Sequence, residues 1–140
     1  MSGSPPSARP GHAVVVLVVE DDAMMRLLIH RTLTAAGYEV WTAASVPEAR
    51  LLLPSIQDRL NLVLADVVMP GGLGPELAGD VLAAHMSARV AYMSIYSQAK
   101  LKAHGVDLQG AELLPKPFRP AELLAFVGAQ VPGGGSDSRR

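Results

Sequence analysis

Four places in this 140-residue chain carry side chains suited to phosphoryl chemistry beside a metal ion: the acidic run Glu20-Asp21-Asp22, the solitary Asp66, the hydroxyl of Ser94 and the ammonium of Lys116. Each follows a short, mostly apolar run. Carboxylates gathered in one place repel one another, by about 4 kcal/mol for two unit charges at 4 Å and an effective permittivity of 20. A hard divalent cation removes that repulsion and prefers oxygen ligands; Mg²⁺ takes one or two carboxylates together with waters and a phosphate. An ammonium nearby neutralises charge on a phosphoryl group, and a hydroxyl donates to one of its oxygens.

For these groups to meet, the ends of the apolar runs must come to one edge of a sheet. Residues 14–19, 39–42, 62–65, 90–93 and 112–114 read as strands. Between them lie helical patterns. Met25, Ile29, Thr32, Leu33 and Ala36 share one helix face, and Gly37 stands where a helix C-cap glycine belongs. Residues 47–53 read as a short helix opened by Pro47 and closed by Pro54. A third spans 75–86, a weaker fourth 97–104, and a fifth 120–131, opened by Pro120 and closed before Pro132. Five strands alternating with five helices predict an α/β fold, a doubly wound five-stranded parallel sheet. Ligands of such folds lie outside the carboxyl ends of the strands.

Composition narrows the function. The chain is 49% hydrophobic and 18% charged, enough to bury a core. Its 12 basic against 13 acidic residues give a net charge of -1, which leaves no basic surplus for nucleic acid. With 0 cysteines, disulfides, thiolate metal sites and thiol catalysis are excluded. The longest apolar run, residues 13–19, is far short of the roughly 20 residues a membrane span needs, and it lacks a basic leader. A cytoplasmic protein without membrane association is expected. Residues 1–11 and 132–140, rich in Gly, Pro and Ser, are expected to be flexible tails flanking one domain at 12–131, with no room for an effector domain.

The segments Val16-Leu17-Val18-Val19-Glu20-Asp21-Asp22, Asp66-Val67-Val68-Met69-Pro70-Gly71-Gly72-Leu73-Gly74, Met93-Ser94 and Leu114-Pro115-Lys116-Pro117-Phe118, in this order, resemble the receiver domain of two-component response regulators. The stretches 66–78 and 93–97 are most similar to receivers attached to hybrid histidine kinases, or stand-alone relatives of those. The resemblance implies a flavodoxin-like fold and a single-domain, Mg²⁺-dependent response regulator. Asp66 would be the phosphoacceptor, taking its phosphoryl group from a phosphohistidine of a sensor kinase or histidine phosphotransfer protein. Asp21 and Asp66 would ligate Mg²⁺ directly, Glu20 directly or through water, and the carbonyl of Val68 would complete the protein ligands. Ser94 would donate to the phosphoryl group. Lys116 would pair with Asp66 and then with the phosphoryl oxygens, and the Lys116-Pro117 bond would be cis. Such a chain is not a turnover enzyme: at most it phosphorylates and dephosphorylates itself, and it signals by contact with a downstream protein.

Plainer readings compete residue by residue. An aspartate after a strand often caps a helix or turn, which is the expected role of Asp22. Ser94 and Lys116 are otherwise ordinary surface residues. His12, His30, His85 and His104 show no ligand spacing and read as surface residues. Met24, Leu27, Leu28 and Arg31 lie off the core stripe of the first helix, either as edge-of-core packing or as a docking patch for a phosphotransfer domain. Three features depart from the family pattern. Leu113 replaces an aromatic switch residue, Ile95 replaces a small residue after Ser94, and bulky Val68 and Tyr96 stand two positions after Asp66 and Ser94. From these, water should reach the acyl phosphate poorly and autodephosphorylation should be slow. The alternative is a pseudo-receiver, a binding module that works without phosphorylation. A haloacid-dehalogenase-type phosphatase needs a second aspartate where Val68 stands, and Gly71-Gly72-Leu73-Gly74 matches no phosphate-cradle motif.

Overall fold

The computed structural model describes residues 13–84 and 87–132. The expected tails fall almost wholly outside the described residues, as do His12, His85 and Met86.

β1 (Val15–Val19) is buried along its whole length, which explains why its sequence shows no alternation. The side chain of Asp22 accepts hydrogen bonds from the N–H groups of Met24 at 2.9 Å and Met25 at 3.1 Å and so caps α1 (Ala23–Ala35). Such a cap contributes about 1 kcal/mol. Ile29 and Leu33 bury one face of α1. Gly37, at φ 100°, then reverses the chain in the left-handed conformation open to glycine. There follow β2 (Glu39–Ala43), α2 (Val46–Ile56), β3 (Leu60–Asp66), a small antiparallel ribbon of β4 (Val68–Met69) and β5 (Gly72–Leu73), α3 (Pro75–Ala83), β6 (Arg89–Ser94), α4 (Gln98–Ala103), β7 (Leu113–Pro115) and α5 (Pro120–Gln130).

The main sheet has the order β2-β1-β3-β6-β7 and every pair is parallel. This is the expected flavodoxin-like sheet with five helices. α1 and α5 cover one face through Ile29, Leu33, Leu123 and Val127, and α2, α3 and α4 cover the other through Val46, Leu53, Leu77 and Leu101. Each such buried Leu, Ile or Val contributes roughly 1.5–3 kcal/mol. Strand order reverses at β1 and β3, so their carboxyl ends open onto the crevice where ligands of this architecture sit.

Several boundaries differ from the sequence reading. Asp66 and Ser94 are the last residues of β3 and β6 rather than the first residues of loops. Pro54 does not close α2; the helix passes through it to Ile56. Proline removes one backbone bond, to the carbonyl of Arg50, but that residue lies on the exposed face. Burial of Leu53 and Ile56 on the other face holds the last turn. α3 ends at Ala83 rather than Met86. α4 is shorter than expected, with Ser97 as its N-cap and His104 as its C-cap. The β4–β5 ribbon was not foreseen. Its turn at Pro70-Gly71 depends on Gly71, whose φ of 86° suits glycine at the third position of a type II turn.

Candidate functional site

The carboxyl ends of β1 and β3 hold the acidic groups side by side. Glu20 is 1% exposed and Asp66 4%, whereas Asp21 is exposed. One oxygen from each of Glu20, Asp21 and Asp66 lies within 4.8 Å of the other two. Lys116 follows β7; its backbone N–H donates to the Ser94 carbonyl at 2.9 Å, and its Nζ reaches back over the sheet edge. There it lies 2.6 Å from Glu20 Oε1 and 2.6 Å from Asp66 Oδ1. The Lys116-Pro117 peptide bond is cis. The second Glu20 oxygen accepts from the Asp22 N–H at 2.9 Å. Ser94, buried at the end of β6, accepts from the Tyr96 N–H at 2.9 Å, and its own O–H remains available to donate.

Burial pushes the Asp66 carboxyl up to about 8, reinforced by hydrogen bonding to Glu20 and repulsion from it, with Lys116 pulling the other way. Burial also opposes the charge of Glu20, but hydrogen bonds with Asp66, Lys116 and the Asp22 N–H hold Glu20 below its ordinary value. For Lys116, burial is outweighed by the two carboxylates, and its pKa is raised. Without a bound cation, these surroundings favour the neutral form of Asp66 and the charged forms of Glu20 and Lys116. Lys116 approaches Asp66 Oδ1 closely but outside hydrogen-bond geometry. That oxygen is the one buried side-chain nitrogen or oxygen without a hydrogen bond among the described residues. An all-oxygen donor set with an unsatisfied buried acceptor fits a hard divalent cation. An ammonium beside a buried carboxylate suits stabilisation of a transferring phosphoryl group.

The family model for the response regulator receiver domain matches residues 16–128. The chain belongs to this family. The receiver is 32% identical over 123 residues to the protein PetR of Rhodobacter capsulatus, which covers 88% of this chain and 49% of PetR. It is 32% identical over 130 residues to the response regulator protein FleR of Pseudomonas aeruginosa, covering 89% of this chain and 27% of FleR. The receiver thus spans about half, or less, of the length of these curated relatives. Among solved structures, the chemotaxis protein CheY4 of Vibrio cholerae matches with a TM-score of 0.74 and 29% identity, over 86% of this chain and 100% of that one. The receiver domain from the hybrid histidine kinase CckA matches with a TM-score of 0.70 and 32% identity, over 84% of this chain and 98% of that one. Two-component signalling is thereby the setting of this receiver.

The receiver brings Glu20, Asp21, Asp66 and Lys116 together at one sheet edge, with Ser94 joined to Lys116 through the backbone. Val68, Ile95 and Tyr96 all stand at the surface, Ile95 at 68% exposed. A side chain so exposed covers little of its neighbours, so Ile95 shields the pocket less than its bulk suggests. Leu113 is half-buried and packs on the sheet face covered by α2, α3 and α4. Met24, Leu27, Leu28 and Arg31 are all exposed, Met24 at 76%, which leaves them outside the core. His104 is exposed, whereas His30 is half-buried rather than on the open surface, because α1 turns it toward the edge of its packed face. Among the described residues, no helix is long and apolar enough to cross a membrane.

Sequence reasoning passed over two residues that touch this site. A Cβ on Gly74 would stand 2.1 Å from the Asp66 carbonyl oxygen, so only glycine lets α3 start this close to Asp66. The Gly74 N–H also donates to the Val67 carbonyl at 2.8 Å. Arg26 donates from its side chain to the Glu20 carbonyl at 2.8 Å. A lone glycine within a Gly-rich loop and an arginine one helical turn past an acidic run were the available signals, and both patterns are common.

Proposed function

We propose that this receiver accepts a phosphoryl group on Asp66 from a phosphohistidine of a sensor kinase or histidine phosphotransfer protein, with Mg²⁺ in the acidic pocket, and signals by binding a downstream protein. The observation that carries the reading is the buried Asp66 carboxylate, with Lys116 Nζ at 2.6 Å and carboxylate oxygens of Glu20 and Asp21 close by. Once the Asp66 carboxyl has released its proton, one of its oxygens attacks the phosphorus, the bond from phosphorus to the imidazole nitrogen breaks, and the ring nitrogen keeps the electron pair. Mg²⁺, when held by Glu20, Asp21, Asp66 and the Val68 carbonyl, neutralises charge on the phosphoryl oxygens. Lys116 exchanges its Asp66 contact for a phosphoryl oxygen, and the Ser94 O–H donates to another. Burial of Asp66 limits access of water to the product. Met24, Leu27, Leu28 and Arg31 on α1 serve as the docking patch for the donor, because they stand exposed on the helix that starts at the pocket.

The chain acts as a phosphoprotein in the cytoplasm, with self-phosphorylation and autodephosphorylation its only chemistry. Incubation with acetyl phosphate and Mg²⁺, read by intact-protein mass, tests the reading. One phosphoryl group on the wild type, none on Asp66→Ala and none without Mg²⁺ is the expected result. A wild type that stays unmodified refutes it in favour of the pseudo-receiver.

A further inference from the structure

We propose that Arg26 is a positioning residue for the cation pocket: its guanidinium pins the backbone of Glu20 and Asp21 so that both carboxylates face Asp66. The proposal rests on reading the acidic pocket as the Mg²⁺ site. Arg26 lies in the first turn of α1, and its own N–H donates to the Asp22 carbonyl at 2.8 Å. From there its side chain turns back toward β1. Nη1 donates to the Glu20 carbonyl at 2.8 Å and lies 3.5 Å from the Asp21 carbonyl.

This choice of partners is informative. Three consecutive carboxylates at residues 20–22 adjoin the guanidinium, yet among the described residues no carboxylate lies within ion-pair distance of it. Its Nη1 goes to peptide oxygens instead, which restrains the peptide planes between β1 and α1. Glu20 is then held at three points: its carbonyl by Arg26, Oε2 by the Asp22 N–H at 2.9 Å, and Oε1 by Lys116 at 2.6 Å. The Asp21 carboxylate is exposed, and the Arg26 contact holds its peptide instead. Both contacts leave the one nitrogen Nη1, and the bond to Glu20 at 2.8 Å is the stronger of the two.

Two effects of Arg26 on a divalent cation have opposite signs, and this makes the proposal testable. Its charge alone repels Mg²⁺, so removal by charge logic tightens binding. Its grip orients the ligands, so removal by positioning logic weakens binding. Calorimetric Mg²⁺ titrations of the full chain, as wild type, Arg26→Gln and Arg26→Lys, decide between them, with Asp66→Asn as the control for site binding. Arg26→Gln is expected to weaken Mg²⁺ binding about five- to tenfold, as for the loss of one hydrogen bond. Arg26→Lys keeps the charge on a side chain one atom too short to reach the position of Nη1, and is expected to fall between. Phosphorylation by acetyl phosphate should need correspondingly more Mg²⁺ to reach half its maximal rate. Metal-free melting of each variant separates lost folding from lost positioning. Should Arg26→Gln prove unstable, Arg26→Lys carries the test, and unaltered affinity in it overturns the proposal. Unchanged or tighter Mg²⁺ binding in Arg26→Gln overturns it as well. A wild type that binds no Mg²⁺ overturns the metal reading itself, an outcome distinct from wild-type binding with indifferent Arg26 variants.

Discussion

Replacing Asp66 by asparagine should make the metal-free protein more stable at alkaline pH, although it removes the proposed phosphoacceptor. In the folded chain Asp66 holds its proton up to a pKa of about 8, against an ordinary 3.8, because of burial first and Glu20 second. The unfolded chain has already released that proton. Stability contributed by Asp66 is therefore complete below 3.8 and is lost as pH rises through about 8. Glu20, which is lowered, changes the balance only on acidification below its ordinary 4.5, and Lys116, which is raised, only above 10.5. The window from about pH 5.5 to 8 isolates Asp66. At 1.36 kcal/mol per pH unit it spans ~3 kcal/mol. Asparagine has nothing to ionise and leaves the pair between Lys116 and Glu20 in place. Urea unfolding in EDTA, followed by the fluorescence of the single Trp41, should show wild-type stability falling by ~3 kcal/mol relative to Asp66→Asn between about pH 5.5 and 8. Adding Mg²⁺ should restore the wild type at the alkaline end and leave Asp66→Asn unchanged. Parallel pH curves for the two proteins, within about 0.5 kcal/mol, would refute the reasoning.

Because Mg²⁺ must displace the Asp66 proton, its apparent affinity should rise about tenfold per pH unit from pH 6 and level off near the Asp66 pKa of about 8; calorimetry in two buffers should record release of one proton per ion at pH 7. Gly74→Ala places a Cβ 2.1 Å from the Asp66 carbonyl oxygen, and should cost ~1–3 kcal/mol in urea unfolding and slow phosphorylation by acetyl phosphate. The phosphorylated protein should persist well beyond seconds in Mg²⁺ at neutral pH. Val68→Gly or Tyr96→Gly should shorten its half-life more than Ile95→Gly, since Ile95 is the most exposed of the three; a half-life of seconds in the wild type, unchanged by all three, would discard shielding.

The sequence was most informative where one residue's chemistry governs its own backbone. Asp22 caps α1, Gly37 turns the chain after it, and Pro75 and Pro120 open helices, all through contacts within four residues. Pro54 was misread for the complementary reason. Its local penalty is real, but burial of Leu53 and Ile56 against the sheet exceeds it, and that gain is not encoded in the neighbouring residues.

The pocket divides along the same line. Residue types and order alone determined the strand-helix alternation, and therefore that Glu20, Asp21, Asp66, Ser94 and Lys116 would gather at the carboxyl edge of a parallel sheet. Tertiary structure decided what happens among them. Bringing residues 20, 66 and 116 within bonding distance, out of water, pushes the Asp66 pKa up, leaves one of its oxygens without a hydrogen bond, and sets Gly74 and Arg26 against the neighbouring backbone. Desolvation, repulsion and close approach depend on distances between segments remote in sequence, and those distances exist only once the chain has folded.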